Sequence, residues 1–176
     1  ARMLTPEQVL DMTGHAVGGV CPFALKAGVR VYLDESLKRF ENDIVAFTAE
    51  LLHADENAAG CVTSCGTESC MLAVKTYRDY ARKTKGIRHP EIIVCETAHV
   101  AWFKGAEYFG VKVRTVPVDK DLKIDIAAVR RKINRNTCML LGSAPEYPHG
   151  IIDDIVALGV LGEKYNIPVH VDACVG

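Results

Sequence analysis

Apolar runs at residues 92–94, 111–116, 138–141 and 168–172 are separated by stretches with helical periodicity. That alternation constrains the fold more than any other feature. Strands separated by helices bury both kinds of apolar face by layering helices on a largely parallel sheet. Thr97-Ala98-His99 opens one helical stretch that reaches Phe109, with Gly110 placed as its C-terminal glycine. Ile126, Val129 and Ile133 mark a second helix. Ile155, Leu158, Leu161 and Tyr165 mark a third, which Gly159 and Gly162 are each expected to weaken by about 1 kcal/mol. The expected fold is α/β, a mostly parallel sheet with helices on both faces.

Before the first strand, Cys61-Val62-Thr63-Ser64-Cys65-Gly66-Thr67-Glu68-Ser69-Cys70 forms a small-residue loop running into a helix that starts near Thr67. Cys70, Met71, Val74, Tyr77 and Ala81 make its apolar stripe. Unpaired N–H groups and the positive dipole end at such a start favour an anion. The alternative is ordinary capping by Ser64 or Thr67 with nothing bound. Asp172 ends an apolar strand and His99 lies just past another, where α/β sheets place ligand-contacting groups. An anion cradle, a flat imidazole and a carboxylate suit a phosphorylated, cationic heteroaromatic ring: pyridoxal phosphate, its ring nitrogen kept protonated by the carboxylate. A strand-end aspartate is also a common cap, and a lone histidine is commonly structural.

A net charge of −1 gives no broad electrostatic case for nucleic acid or an anionic membrane. The seven cysteines lack paired C-x-x-C spacing, so reduced thiols in the cytoplasm are expected and no metal site. No apolar run reaches membrane-spanning length, and the first residues lack a signal-peptide core. Thr5-Pro6 reads as a helix start, with Val9, Leu10 and Met12 on one side and Gly14 as its stop. A glycine- and proline-punctuated loop follows, then a strand at 29–33 and a turn at 34–36. From about Glu41, Ile44, Phe47 and Leu51 fall at helical spacing, and residues 53–60 are a polar connection.

Residues 1–40 resemble a fragment of the aminoacyl-tRNA editing-domain family that clears mischarged prolyl-tRNA. The resemblance lies in residues 13–25, Thr-Gly-His-Ala-Val-Gly-Gly-Val-Cys-Pro-Phe-Ala-Leu, and in 31–37. The part of that domain contributing its functional lysine is absent, and Ala24 stands where a second loop glycine is usual. Residues 41–176 resemble the sphingosine-1-phosphate lyase family, within the pyridoxal-phosphate group II decarboxylase superfamily. Gly66-Thr67-Glu68-Ser69, Thr97-Ala98-His99, Pro148-His149-Gly150 and His170-Val171-Asp172-Ala173-Cys174 carry that resemblance most densely. It implies a partial large domain of the fold type I architecture and pyridoxal 5′-phosphate as cofactor. Gly66 and Thr67 would hold the phosphate, His99 would stack on the ring and Asp172 would pair with its nitrogen. Ala173 would lie near the ring and His149 in the substrate pocket.

The implied reaction is cleavage of a phosphorylated sphingoid base to a long-chain aldehyde and phosphoethanolamine. A homodimer is implied too, membrane-associated if the lyase is of the full-length eukaryotic type. The family's Schiff-base lysine is expected beyond Gly176, so the chain alone is expected to be inactive. Amino-acid decarboxylation is the rival within the superfamily; an editing module or a silent chimera are rivals outside it. Cys65 replaces a glycine usual in the family, which would strain the loop if that position needs positive φ. Two signatures meeting near residues 38–41 without a linker suggest a non-native junction.

Overall fold

The structure is a computed structural model that describes residues 5–13 and 36–174, without the Leu37 side chain. It divides into two units, Ala1–Val62 and Thr63–Gly176. The expected Gly14 stop, the glycine–proline loop and the strand at 29–33 lie outside the described residues.

In the first unit, helix α1 (Pro6–Thr13) starts as the sequence predicts. Thr5 Oγ1 accepts from Gln8 N–H at 3.3 Å, and Thr5 N–H donates to Gln8 Oε1 at 3.0 Å, a reciprocal capping box. Helix α2 (Ser36–Leu51) is continuous, so Ser36 opens a helix rather than turning the chain. The stretch 38–41, where the two resemblances meet, lies inside it. Ile44, Phe47 and Leu51 keep their helical spacing but are more than half exposed, at 52%, 66% and 67% for Ile44, Leu51 and Phe47.

The second unit holds helices α3 (Gly66–Lys85), α4 (Val100–Tyr108), α5 (Ile126–Lys132) and α6 (Ile155–Tyr165). Its strands are β1 (Glu91–Cys95), β2 (Lys112–Val116), β3 (Thr137–Ser143) and β4 (Val169–Asp172). They form one parallel sheet in the order β2-β1-β3-β4. Every residue of β1 and β3 is buried, because helices cover both faces of these central strands. Side-chain alternation divides the core in two. Ile92, Val94, Met139 and Leu141 pack with Val74 and Trp102 from α3 and α4. Ile93, Cys95 and Leu140 pack with Val129 and Leu158 from α5 and α6.

Asp125 and Asp154 start α5 and α6 by accepting from Ala128 N–H at 2.9 Å and Ala157 N–H at 3.0 Å. Gly110, at φ 64°, follows the end of α4 as the sequence predicts. At Gly162 the packing adds a reason for glycine that helix propensity does not show. A Cβ there would lie 2.5 Å from Val169 Cγ2 and 2.8 Å from the Ile167 carbonyl oxygen, so the missing side chain lets α6 lie on β4. At Gly159 the space is open.

The chain passes from β1 to β2 on one side and later to β3 on the other. The crevice beyond the carboxyl ends of β1 and β3 is therefore the topological switch point of the sheet, the usual ligand position in such folds.

Candidate functional site

A cleft of about 310 Å³ opens at that end of the sheet. Cys65, Gly66, Thr67 and Cys70 line it from the start of α3, and His99 from the turn after β1. Ser143 comes from the end of β3, Pro145 and Tyr147 from the segment after it, and Asp172 and Cys174 from the end of β4 and just past it. Thus Gly66, Thr67, His99 and Asp172, far apart in sequence, meet in one cavity. Ala173 lies instead beside Ser69, Trp102 and His170, in an adjoining depression. His149 is not among the lining residues; its Nδ1 lies 3.1 Å from Glu146 Oε1, which also accepts the His149 backbone N–H at 2.8 Å.

The start of α3 differs from the ordinary capping alternative. Its N-cap is Cys65, which makes no side-chain capping bond, and neither Ser64 nor Thr67 takes that role. The Ser64 hydroxyl is committed to Glu68 Oε2 at 2.6 Å, and the Ser64 N–H to the same oxygen at 2.7 Å. Thr63 Oγ1 and Ser69 Oγ are 2.6 Å apart. These contacts brace the loop on the first helical turn without capping it. The expected strain at Cys65 is absent, because φ −169° and ψ 166° are extended values open to any residue. The nearness of the Glu68 backbone N–H and the Ser64 hydroxyl, neither close enough to cap the helix through sulfur, draws the Cys65 thiol below its ordinary pKa. Negative charge is thus favoured where the helix begins. A Cβ on Gly66 would touch Cys174 Sγ at 3.4 Å and narrow the cleft.

His99 is both structural and site-lining. It is the N-cap of α4, where its Nδ1 accepts from Ala101 N–H at 3.2 Å, so a neutral ring carries its proton on Nε2. Tyr147 meets the ring edge-on, with centroids 5.6 Å apart and an interplanar angle of 84°. Ser143 is held by its N–H donating to Asp153 Oδ2 at 2.8 Å.

Asp172 Oδ2 accepts from Trp102 Nε1–H at 2.8 Å, and Oδ1 from Cys174 N–H at 3.2 Å. Burial pushes its carboxyl pKa up, but the Trp102 and Cys174 hydrogen bonds outweigh this and hold it below the usual range. Burial pushes His170 down, against the pull of Asp172, favouring a neutral imidazole. None of the ion pairs among the described residues involves Asp172. The site therefore presents an ionised carboxylate held by neutral donors. Burial, with Asp172 and Cys174 nearby, lifts the Cys70 thiol to about 12, so this neighbour stays protonated.

Sequence reasoning missed Ser143 at the end of β3, Pro145 and Tyr147 from the turn that follows, and Trp102 behind Asp172. For Trp102 a signal existed: it is the chain's single tryptophan, three residues after His99 and so a close neighbour along the helix. Among the described residues no group of three or more His, Cys, Asp or Glu could hold a metal, and no described helix is long and apolar enough to cross a membrane.

The family described as the pyridoxal-dependent decarboxylase conserved domain matches residues 26–176. That match runs without interruption through residues 38–41 and takes in part of the stretch likened to an editing domain. Over 159 residues the chain is 50% identical to a sphingosine-1-phosphate lyase of Arabidopsis thaliana, covering 88% of this chain and 29% of that protein. Over 140 residues it is 49% identical to sphingosine-1-phosphate lyase 1 of Rattus norvegicus, covering 80% and 24%. A solved sphingosine-1-phosphate lyase from Burkholderia pseudomallei matches with a TM-score of 0.76 at 39% identity, covering 80% of this chain and 34% of that one. A glutamate decarboxylase from Lactobacillus brevis matches with a TM-score of 0.68 at 27% identity, covering 78% and 35%. The chain spans about 29% and 24% of the two lyase sequences it matches.

Proposed function

The chain belongs to the pyridoxal-dependent decarboxylase family, and from that premise we propose that residues 41–176 form part of the cofactor-binding large domain of a carbon–carbon lyase. Its substrate is a phosphorylated sphingoid base, cleaved to a long-chain aldehyde and phosphoethanolamine, and the working enzyme is a homodimer. Identity of about half with sphingosine-1-phosphate lyases, against 27% with a glutamate decarboxylase, favours this over amino-acid decarboxylation.

The family's cofactor is pyridoxal 5′-phosphate, and the observation that carries its placement is the meeting of an uncapped helix start with an uncompensated carboxylate in one cleft. Gly66 and Thr67 hold the phosphate with backbone N–H groups at the start of α3. His99, fixed by its bond from Ala101 N–H, would stack on the ring, and Asp172 would pair with its nitrogen and favour the protonated form. Ala173, in the adjoining depression, and His149, bonded to Glu146 outside the cleft lining, carry no part of this placement. Bound there, the cofactor supplies the electron sink that makes breaking the Cα–Cβ bond feasible. The editing-type motif at 13–25 falls outside the described residues apart from Thr13, and no activity is built on it.

The test is a substrate screen on the cofactor-loaded enzyme. Long-chain aldehyde from a phosphorylated sphingoid base is the expected product. Release of CO2 from amino acids without aldehyde would move the assignment to a decarboxylase.

A further inference from the structure

Asp172 is supported from behind by a residue that does not itself line the cleft. Trp102 is 1% exposed. An indole N–H is a donor only and needs an acceptor when buried; here the acceptor is Asp172 Oδ2, at 2.8 Å. We propose that Trp102 is a positioning residue: its neutral N–H clamps the Asp172 carboxylate in one orientation and leaves the negative charge available to a protonated ring nitrogen. This rests on the reading of Asp172 given above.

Three features of the fold support the clamp. First, α4 carries both ends of the arrangement, since His99 is its N-cap and Trp102 N–H bonds the His99 carbonyl at 3.1 Å. One rigid turn of helix therefore couples the imidazole in the cleft to the indole behind it. Second, His170 and Asp172 share a face of β4 by strand alternation. His170 packs on the indole at 4.9 Å and 63°, and is itself met by Tyr77 of α3 at 5.8 Å and 86°. The indole is thus wedged between helix and strand and cannot swing away from the carboxylate. Third, the donor is uncharged. A lysine or arginine in its place would hold Asp172 as firmly but neutralise it. The donors to Asp172, the Trp102 indole and the Cys174 backbone and thiol, are all neutral, and a carboxylate with about four lone-pair sites retains acceptor capacity for a ring N–H.

The experiment loads the protein with pyridoxal phosphate labelled with nitrogen-15 in the ring and follows the ring-nitrogen shift against pH. Wild type, Trp102→Phe and Asp172→Asn are compared. Phe keeps the packing but cannot donate. In a parallel sample the chain's one tryptophan is replaced biosynthetically by benzothienylalanine, which removes only the N–H and covers the case in which Trp102→Phe does not fold. The expected result is that both donor-free proteins lose ring protonation at lower pH than wild type and bind the cofactor about tenfold more weakly. If Asp172→Asn shifts the signal while both donor-free proteins titrate as wild type, the clamp is overturned and the role of Asp172 stands. If Asp172→Asn also leaves the signal unchanged, the reading of Asp172 falls and the clamp with it. A loss of thermal stability alone, with an unchanged titration, would reduce Trp102 to a packing residue.

Discussion

Glu91 and Asp172 sit at opposite ends of the same sheet, and their surroundings separate a structural carboxylate from a functional one. Glu91 opens β1 and is 6% exposed. It is met by Arg114 Nε at 2.8 Å, Asn134 Nδ2 at 2.8 Å and Lys112 Nζ at 3.6 Å. The register of β1 against β2, which pairs Glu91 with Lys112, brings these cations to it. Burial raises its pKa, and Arg114, Asn134 and Lys112 together bring it below the ordinary value. Asp172 closes β4 and is also held low, but by neutral donors, the Trp102 indole and the Cys174 thiol and backbone N–H. One charge is cancelled within the protein and the other is left for something else to cancel. In a parallel sheet the carboxyl end is also where ligands bind, so position and charge agree.

The largest expected effect breaks the comparison at its functional end. Asp172→Asn keeps an acceptor for Trp102 and so should leave stability within about 1 kcal/mol of wild type. Turnover by the cofactor-loaded enzyme should fall by about two to three orders of magnitude, the usual cost of losing a preorganised electrostatic partner. The mirror experiment is Glu91→Gln. It should destabilise the fold by roughly 1–2 kcal/mol, because the amide offers Arg114 and Lys112 no charge, while cofactor affinity stays unchanged. Denaturant melts and a cofactor titration on both variants check this pair. A drop in cofactor affinity in Glu91→Gln would end the distinction between the two ends.

A smaller effect sharpens the comparison through packing. Gly162→Ala should cost about 1–3 kcal/mol, because the new methyl meets Val169 and the Ile167 carbonyl. Since β4 must shift to relieve it, cofactor binding should weaken as well. Gly159→Ala, into open space on the same helix, should stabilise by up to about 1 kcal/mol and leave binding alone. Equal effects of the two alanines on binding would show that β4 does not transmit the strain to Asp172.

The sequence made these elements legible to different degrees, for physical reasons. The four strands and four helices of the second unit follow from local signals: apolar runs, helical stripes and Gly110 as a stop. Asp172, His99, Gly66 and Thr67 could be named because strand ends and helix starts are where such folds expose chemistry. What stayed hidden depends on distance in sequence. Trp102 reaches Asp172 across 70 residues, and the Glu91–Arg114 pair depends on strand register. Gly162 looked like a weakness in α6 because propensity is a property of the helix, whereas its use lies in Val169 beyond it. Ser36 looked like a turn from its acidic neighbours Asp34 and Glu35, yet it is the first residue of α2.

The smallest expected effect concerns pH, and it distinguishes the two ends by the order in which they fail. Glu91 and Asp172 both have folded pKa values below their unfolded ones, so each contributes stability that is present above about pH 4 and lost as pH falls through the folded value. His170, beside Trp102, also has its pKa lowered by burial. For a base the consequence begins earlier. Below about pH 6.5 the unfolded chain takes up a proton that the folded imidazole refuses, and stability falls. Acidification should therefore be felt first at the Asp172 end, through His170, and only later at Glu91. Denaturant melts at intervals from pH 7.5 to about pH 3.5 read both the early slope and the later loss. His170→Phe, which keeps a ring against Trp102 and Tyr77, should flatten that slope while leaving the steeper loss near pH 4 in place. A slope in His170→Phe identical to wild type would assign the early loss to another group, and the Asp172 end would then be no more sensitive to mild acid than the Glu91 end.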